Sequence, residues 1–326
     1  MAIDVTEVKR RLLALLNEQV LVDEYLEQFG PSIDIKHIKA IKESHLRATT
    51  SEQNDLPGED PIFSVFVKCP VCNMEEITSY ELRAKSQQIL QNKFLVPLYV
   101  GAGGFKTVDY TLIAATVCPR CLFASPDRKD FGRHDISSHA NQKSQLTANT
   151  IASLQEKVGE RKAIIKATTN YDEYFKRPRT FDAVLDSYRL SLLRAKVESW
   201  YEAPYSFYKL GAYSLRIAKI LKDTAADNQA TLKEALFYFE EAFRTSNCPS
   251  EEIEMQVIYL ISALNLKVGD QKKANSYLGV LNNLHNARAI EMRTNPRLTT
   301  TIIDKWADRA KFLWEDRDME DLFKDE

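Results

Sequence analysis

Two short cysteine pairs constrain this chain more than any other feature: Cys69-Pro70-Val71-Cys72 and Cys118-Pro119-Arg120-Cys121. Two intervening residues let both thiolates of a pair face one tetrahedral centre, and the proline stiffens the turn. Zinc takes four such ligands, so the pairs predict one shared site of Cys69, Cys72, Cys118 and Cys121. Strands leading into each pair, Ile62 to Val67 and Tyr110 to Val117, would bring the pairs together, with the 45 residues between them looped outward. Asn73 follows the first pair where a left-handed residue helps the turn; Leu122, after the second, departs from that expectation. Four thiolates leave no coordination position for water, so the expected ion is one structural Zn2+ per chain. Such an ion contributes on the order of 10 kcal/mol to folding, enough for a small module with little core of its own. The fifth cysteine, Cys248, precedes Pro249 and reads as a turn residue.

Other chemistries fit the residues less well. Cys118 and Cys121 with His134 and His139 have the spacing of a two-cysteine, two-histidine finger. Pro126 and Gly132 would interrupt its helix, Ser125 replaces a core aromatic, and Cys69 and Cys72 would be left without a role. A redox dithiol needs its pair at a helix N-terminus beside a β-α-β pattern, which neither pair has. The loop Gly101-Ala102-Gly103-Gly104-Phe105 is followed by no lysine in P-loop register and no helix, so it reads as a turn or bulge. Five histidines, none in a nucleophile setting, assign no reaction, and the acidic residues from Glu315 to Glu326 are spaced like a solvated helical tail. The reading leans away from an enzyme, with a redox or hydrolytic site of unrecognised form as the second alternative.

The 326 residues, 44% hydrophobic and 28% charged, suffice for two or three compact units. Residues 1–61 read as a helical segment and linker, 62–132 as a zinc-ribbon-like module, and 133–326 as a helical region. In the first, Val5, Val8, Leu12, Leu15, Val22, Leu26 and Phe29, with Gln19 as the one polar member of the series, recur at three- and four-residue steps, a helix from Val5 to Phe29 whose broad apolar face suits burial within the chain and leaves a homodimer as an alternative. In the third, the pattern predicts helices near 138–167, 181–200, 204–222, 230–245, 250–268, 270–285 and 299–323. Leu210-Gly211 with Ala235, Phe239 and Ala242, and Ser262 with Gly269, Ala274 and Leu278, fall at spacings like those of tetratricopeptide repeats. The expected fold is therefore mainly α, with a small β-containing zinc module and a tetratricopeptide-like helical region offering a concave surface to a protein or peptide; a plain bundle filled by Tyr205, Phe207, Tyr213 and Phe237 is the alternative.

A net charge of −2 supplies no overall attraction to nucleic acid or anionic membranes. A local group, Lys157, Arg161, Lys162, Lys166, Lys176, Arg177 and Arg179, interleaved with Tyr171, Tyr174 and Phe175, is the basis of a nucleic-acid alternative, although Glu156, Glu160, Asp172 and Glu173 dilute it. No stretch reaches the ~18 apolar residues of a membrane span and the first ten residues lack a signal-peptide core, so the expectation is cytoplasmic, without a membrane partner.

The cysteine pairs, with Leu82-Arg83, Tyr99, Tyr110, Val117, Phe123-Ala124 and Asp130-Phe131 around them and the helical region after them, resemble the bacterial family of unknown function numbered 2225. The resemblance runs from about Val67 onward and implies a bacterial, cytoplasmic zinc-ribbon protein with tetratricopeptide-like helices and no assigned activity. Only the four cysteines carry over as functional positions. The combined expectation is an adaptor for a protein or peptide partner, with nucleic-acid binding through residues 157–179 as the alternative.

Overall fold

The structure is a computed structural model that describes residues 19–34, 58–133, 146–165, 168–248, 250–295, 297–319 and 322–323, together with Thr6, Val8, Lys9, Leu12, His37, Ile38 and Ile41. It is mainly α-helical, with small antiparallel sheets near the cysteine pairs.

Near the N-terminus, helix α1 (Gln19–Phe29) ends at Gly30, which takes the positive φ of +70° that a helix C-terminus favours. Its Val22 and Tyr25 are buried with Leu12, Ile38 and Ile41 in a cluster that also touches Ala225, so this apolar face packs within the chain. The Tyr25 hydroxyl donates to the Ser32 carbonyl at 2.9 Å, fixing the turn after the helix.

Strand β1 (Ile62–Lys68) runs into the first cysteine pair and returns as β2 (Ile77–Leu82), antiparallel from Ile62 opposite Leu82 to Val67 opposite Ile77. The second pair is built the same way on a shorter scale, between β5 (Thr116–Val117) and β6 (Ala124–Ser125). The strand expected over Tyr110 to Val117 is mostly absent. Asp109 caps a single 3-10 turn over Tyr110–Leu112 through the Thr111 N–H, and only the last two residues pair as strand. A short Asx-type side-chain bond outcompetes the ladder here because Asp109 offers the backbone a local partner. Strand β7 (Gly132–Arg133) joins the other edge of β1, giving the order β2-β1-β7.

Between the two pairs, β3 (Gln87–Gln91) and β4 (Pro97–Gly101) form a separate hairpin. Asn92 organises its turn by accepting from the Phe94 and Val96 N–H groups. The glycine-rich loop follows β4. Gly101 has backbone atoms of Phe105, Lys106 and Thr107 within 2.9 Å of where a Cβ would stand, so the close approach itself requires glycine there. The chain then forms a parallel bridge between Phe105 and Glu59.

The helix expected over 138–167 is two short helices among the described residues, α2 (Ala148–Glu156) and α3 (Val158–Ile164), divided at Lys157; residues 134–145 lie outside the described set. After α4 (Tyr171–Tyr174) come α5 (Phe181–Trp200), α6 (Ser206–Asp223), α7 (Gln229–Arg244), α8 (Glu251–Lys267), α9 (Gln271–Glu291) and α10 (Thr301–Glu315). Thr180, Ser250 and Asp270 cap α5, α8 and α9 by accepting the N3 backbone N–H.

Each of α5 to α9 packs on the next, and α10 packs on both α8 and α9. Side chains also join alternate helices. Lys196 meets Glu234 between α5 and α7, and Lys273 meets Glu240 while Phe243 meets Tyr277 between α7 and α9. On the other side Tyr208 donates to Gln256 between α6 and α8, and Trp306 packs on Tyr259 between α8 and α10. The helices thus form two rows, α5-α7-α9 and α6-α8-α10. Helix α5 is the pivot, with fourteen of its twenty residues buried, because the cysteine hairpins and α2 and α3 cover the side that its helical neighbours leave open.

Candidate metal centre

Each cysteine pair sits in the turn of a β-hairpin, and the two turns share one backbone pattern. The Cys69 N–H donates to the Met74 carbonyl and the Asn73 N–H returns to the Cys69 carbonyl; the Cys118 N–H donates to Phe123 and the Leu122 N–H to Cys118. The residue after each pair is left-handed, Asn73 at φ 57° and Leu122 at φ 58°. Leu122 therefore takes the conformation its side chain disfavours, and it is fully buried against Val117, Ala124 and Leu190.

Stacking the hairpins brings four sulfurs to one point. The Sγ atoms of Cys69 and Cys121 are 3.6 Å apart, those of Cys72 and Cys118 are 3.5 Å apart, and all four lie within 4.8 Å of one another. Four sulfurs at Zn–S bonds of ~2.3 Å in a tetrahedron stand ~3.8 Å apart, whereas a disulfide needs ~2.05 Å. The thiols are free, and the arrangement can hold a metal ion. Cys69, Cys118 and Cys121 are buried and Cys72 is half-buried, so Cys72 is the side facing water.

Electrostatics agree with that use. Four thiols at this spacing share protons: hydrogen bonding to Cys118 and Cys69 pulls Cys121 down to about 2, and hydrogen bonding to Cys118 and Cys121 pushes Cys69 far up. Cys118 is likewise pushed up, chiefly by its bond to Cys121. Four thiolates this close would repel one another, and a cation in their midst would offset that repulsion.

The supports around the sulfurs come from the helical region. The Val71 N–H points at the Cys69 sulfur at 3.4 Å, and Gln155 on α2 donates to the Val71 carbonyl at 2.7 Å. Arg161 on α3 is fully buried; its Nε donates to the Cys121 carbonyl at 2.7 Å and an Nη to the Leu154 carbonyl at 2.6 Å. Burial lowers the Arg161 pKa, and the charges of Cys121, Cys69 and Cys118 oppose that shift. A guanidinium buried behind four thiolates offsets part of their charge. Beyond it, Arg194 on α5 pairs with Asp130 at 2.6 Å and with Glu198, which also takes Lys209 from α6 at 2.8 Å. Ser125 donates to Asp130 at 2.5 Å, and the Arg194 guanidinium lies 5.6 Å from the Phe123 ring. Two acids and two bases thus close a neutral network between the second hairpin and two long helices.

The four predicted ligands are therefore together, and the histidines of the competing finger, His134 and His139, lie outside the described residues. The basic group divides. Arg161 and Arg179 are buried, with Arg179 donating to the Ala115 and Phe175 carbonyls. Lys157, Lys176 and Arg177 are paired with Glu160, with Asp172 and Glu173, and with Asp60; Lys166 lies outside the described residues. Lys162 is exposed, and burial removes Arg161 and Arg179 from any basic surface. Sequence reading missed Arg161 as a support. The signal was its spacing in the sequence, since Leu154, Val158 and Arg161 follow steps of four and three and the first two belong to the cysteine core.

The model of the family described as an uncharacterized protein conserved in bacteria, domain of unknown function 2225, matches residues 62–308. No curated protein and no solved structure matches the chain.

Proposed function

The chain belongs to this bacterial family, and from that premise we propose that it is a zinc-stabilised adaptor whose helical rows hold a protein or peptide partner. The observation that carries the reading is the pairing of four cysteine sulfurs at metal-ligand spacing with two rows of alternating helices. Four sulfurs at tetrahedral spacing suit a borderline-soft ion such as Zn2+ and leave no place for a reacting water, so the ion's part is structural. When bound it supplies the positive charge that lets all four cysteines ionise.

The rows support a tetratricopeptide-like reading of the helical region. Gly211 of α6 faces Phe239 of α7, and an added Cβ would stand 2.7 Å from that ring, the kind of close helix approach that stacked helix pairs use. Exposed apolar side chains on the α5-α7-α9 row, Phe237 at 55% and Ile290 at 61%, are where such a partner would be held.

Native mass spectrometry of gently purified protein tests the metal and the partner together. The expected spectrum shows one zinc per chain, lost along with folded structure in Cys69→Ser or Cys118→Ser. Metal-free protein with the cysteines as disulfides would overturn the structural-zinc reading. For the surface, a partner retained by the wild type and released by Phe237→Asp, with the helical circular dichroism unchanged, supports the adaptor; equal retention by both proteins moves the contact elsewhere.

A further inference from the structure

A second site stands far from the sulfurs, where the β3–β4 hairpin meets α8, α10 and the segment after α10. A cavity of about 310 Å³ opens there, within the size range of small-ligand pockets. Two cations line it. Arg309 lies with its guanidinium 5.2 Å from the centre of the Tyr259 ring and 5.5 Å from that of Trp306, and touches Gln91 of the hairpin at 3.4 Å. Among the described residues no carboxylate stands within ion-pair distance of it. Among the described residues Lys93 of the hairpin pairs with Asp316, at 3.8 Å, with both side chains about two-fifths exposed, a pair worth little in water.

Apart from Gln91 and Asn92, the remaining wall is apolar and aromatic. Phe323 is stacked on Phe94 at 5.2 Å, and Phe312, 62% exposed, forms an open lip. No acidic side chain lines the cavity among the described residues. Among the described residues the Arg309 guanidinium is held by ring faces in place of a carboxylate, and its planar fork suits carboxylate or phosphate oxygens. Phe312 gives a flat apolar body something to lie against. We propose that this cavity binds a small organic anion that carries an aromatic ring, its acid group between Arg309 and Lys93 and its ring against Phe312. Arg309, Phe312 and Phe323 lie beyond the residues matched by the family, and the site is independent of the metal centre and of the adaptor reading.

Ligand-observed NMR titration of the full, metal-loaded chain at low ionic strength tests this, with phenyl phosphate and benzoate as probes and inorganic phosphate and benzyl alcohol as comparisons. The two probes distinguish a phosphate from a carboxylate head group. At least one of them should bind tenfold or more tightly than both comparisons. Arg309→Gln should weaken that probe at least tenfold. Phe312→Ser, at an exposed position that leaves the fold intact, should weaken the ring-bearing probe and leave inorganic phosphate unchanged. Asp316→Asn should tighten binding severalfold, because it frees Lys93. Absence of binding by both probes overturns the proposal, as does an unchanged affinity in Arg309→Gln whose melting matches wild type. Equal affinity for inorganic phosphate and the ring-bearing probes overturns the ring's part in it.

Discussion

Asn73 and Leu122 hold equivalent left-handed positions by different means. Asn73 is exposed and of a residue type that tolerates the conformation, whereas Leu122 offsets a strain of about 1–2 kcal/mol with full burial of its side chain. Asn73→Gly should therefore change stability by only a few tenths of a kcal/mol, and Leu122→Gly should lose roughly 1–3 kcal/mol despite relief of the strain, both read by urea denaturation. This is why Leu122 was illegible in the sequence: local preference argued for glycine or asparagine, and tertiary burial decided otherwise. Arg161 was misleading for the converse reason. Its charge suggested a surface, yet its donors serve two buried carbonyls behind the sulfurs. Arg161→Met should weaken metal retention about 10–100-fold in a chelator competition, with all four cysteines still present.

Among the elements, the long helices were the most legible. From Phe181 onward each expected helix is observed within a few residues at its start, because Pro and Gly punctuation and capping residues such as Thr180, Ser250 and Asp270 state the boundaries locally. The β3–β4 hairpin was not foreseen. Gln87-Gln-Ile-Leu-Gln has neither alternation nor a continuous apolar run, and its anchors, Phe94 and Val96, sit in the turn instead of the strands. The contact of Gly211 with Phe239 gives a test at this scale. Gly211→Ala forces a methyl into a rigid ring, which should cost about 1–3 kcal/mol, and the cost should shrink when Phe239→Leu is added, a non-additivity measurable in thermal melts. Asp60 ties the start of β1 to Arg177 before α5. Burial would raise its pKa, but hydrogen bonds from Arg177 and the Ile62 N–H win and hold it below 3.8. Its folded value being depressed, the carboxylate adds stability above the unfolded pKa that is lost as pH falls through the folded one. Asp60→Asn should accordingly flatten the acid limb of the stability profile below about pH 4.

In the whole molecule, the cysteine hairpins and the helices share their interiors. Phe123, Phe131 and Val71 are buried with Leu154 of α2 and Val197 of α5, and the ion network continues from Asp130 into α6. Removing the metal should thus loosen α5 as well as the cysteine turns. Hydrogen exchange before and after chelation should show lost protection across Phe181–Trp200; exchange confined to residues 69–74 and 118–123 would contradict the shared interior. The hairpin between the cysteine pairs has its own distant commitment. Phe94 and Val96 are buried among Met255, Ile303, Trp306 and Leu322, residues that follow them by more than 150 positions. During synthesis at roughly 5–20 residues per second, the sulfurs can gather their ion long before those partners leave the ribosome. The nascent chain therefore carries the loop between its cysteine pairs with Phe94 and Val96 uncovered for roughly ten to forty seconds, until the residues that bury them are made.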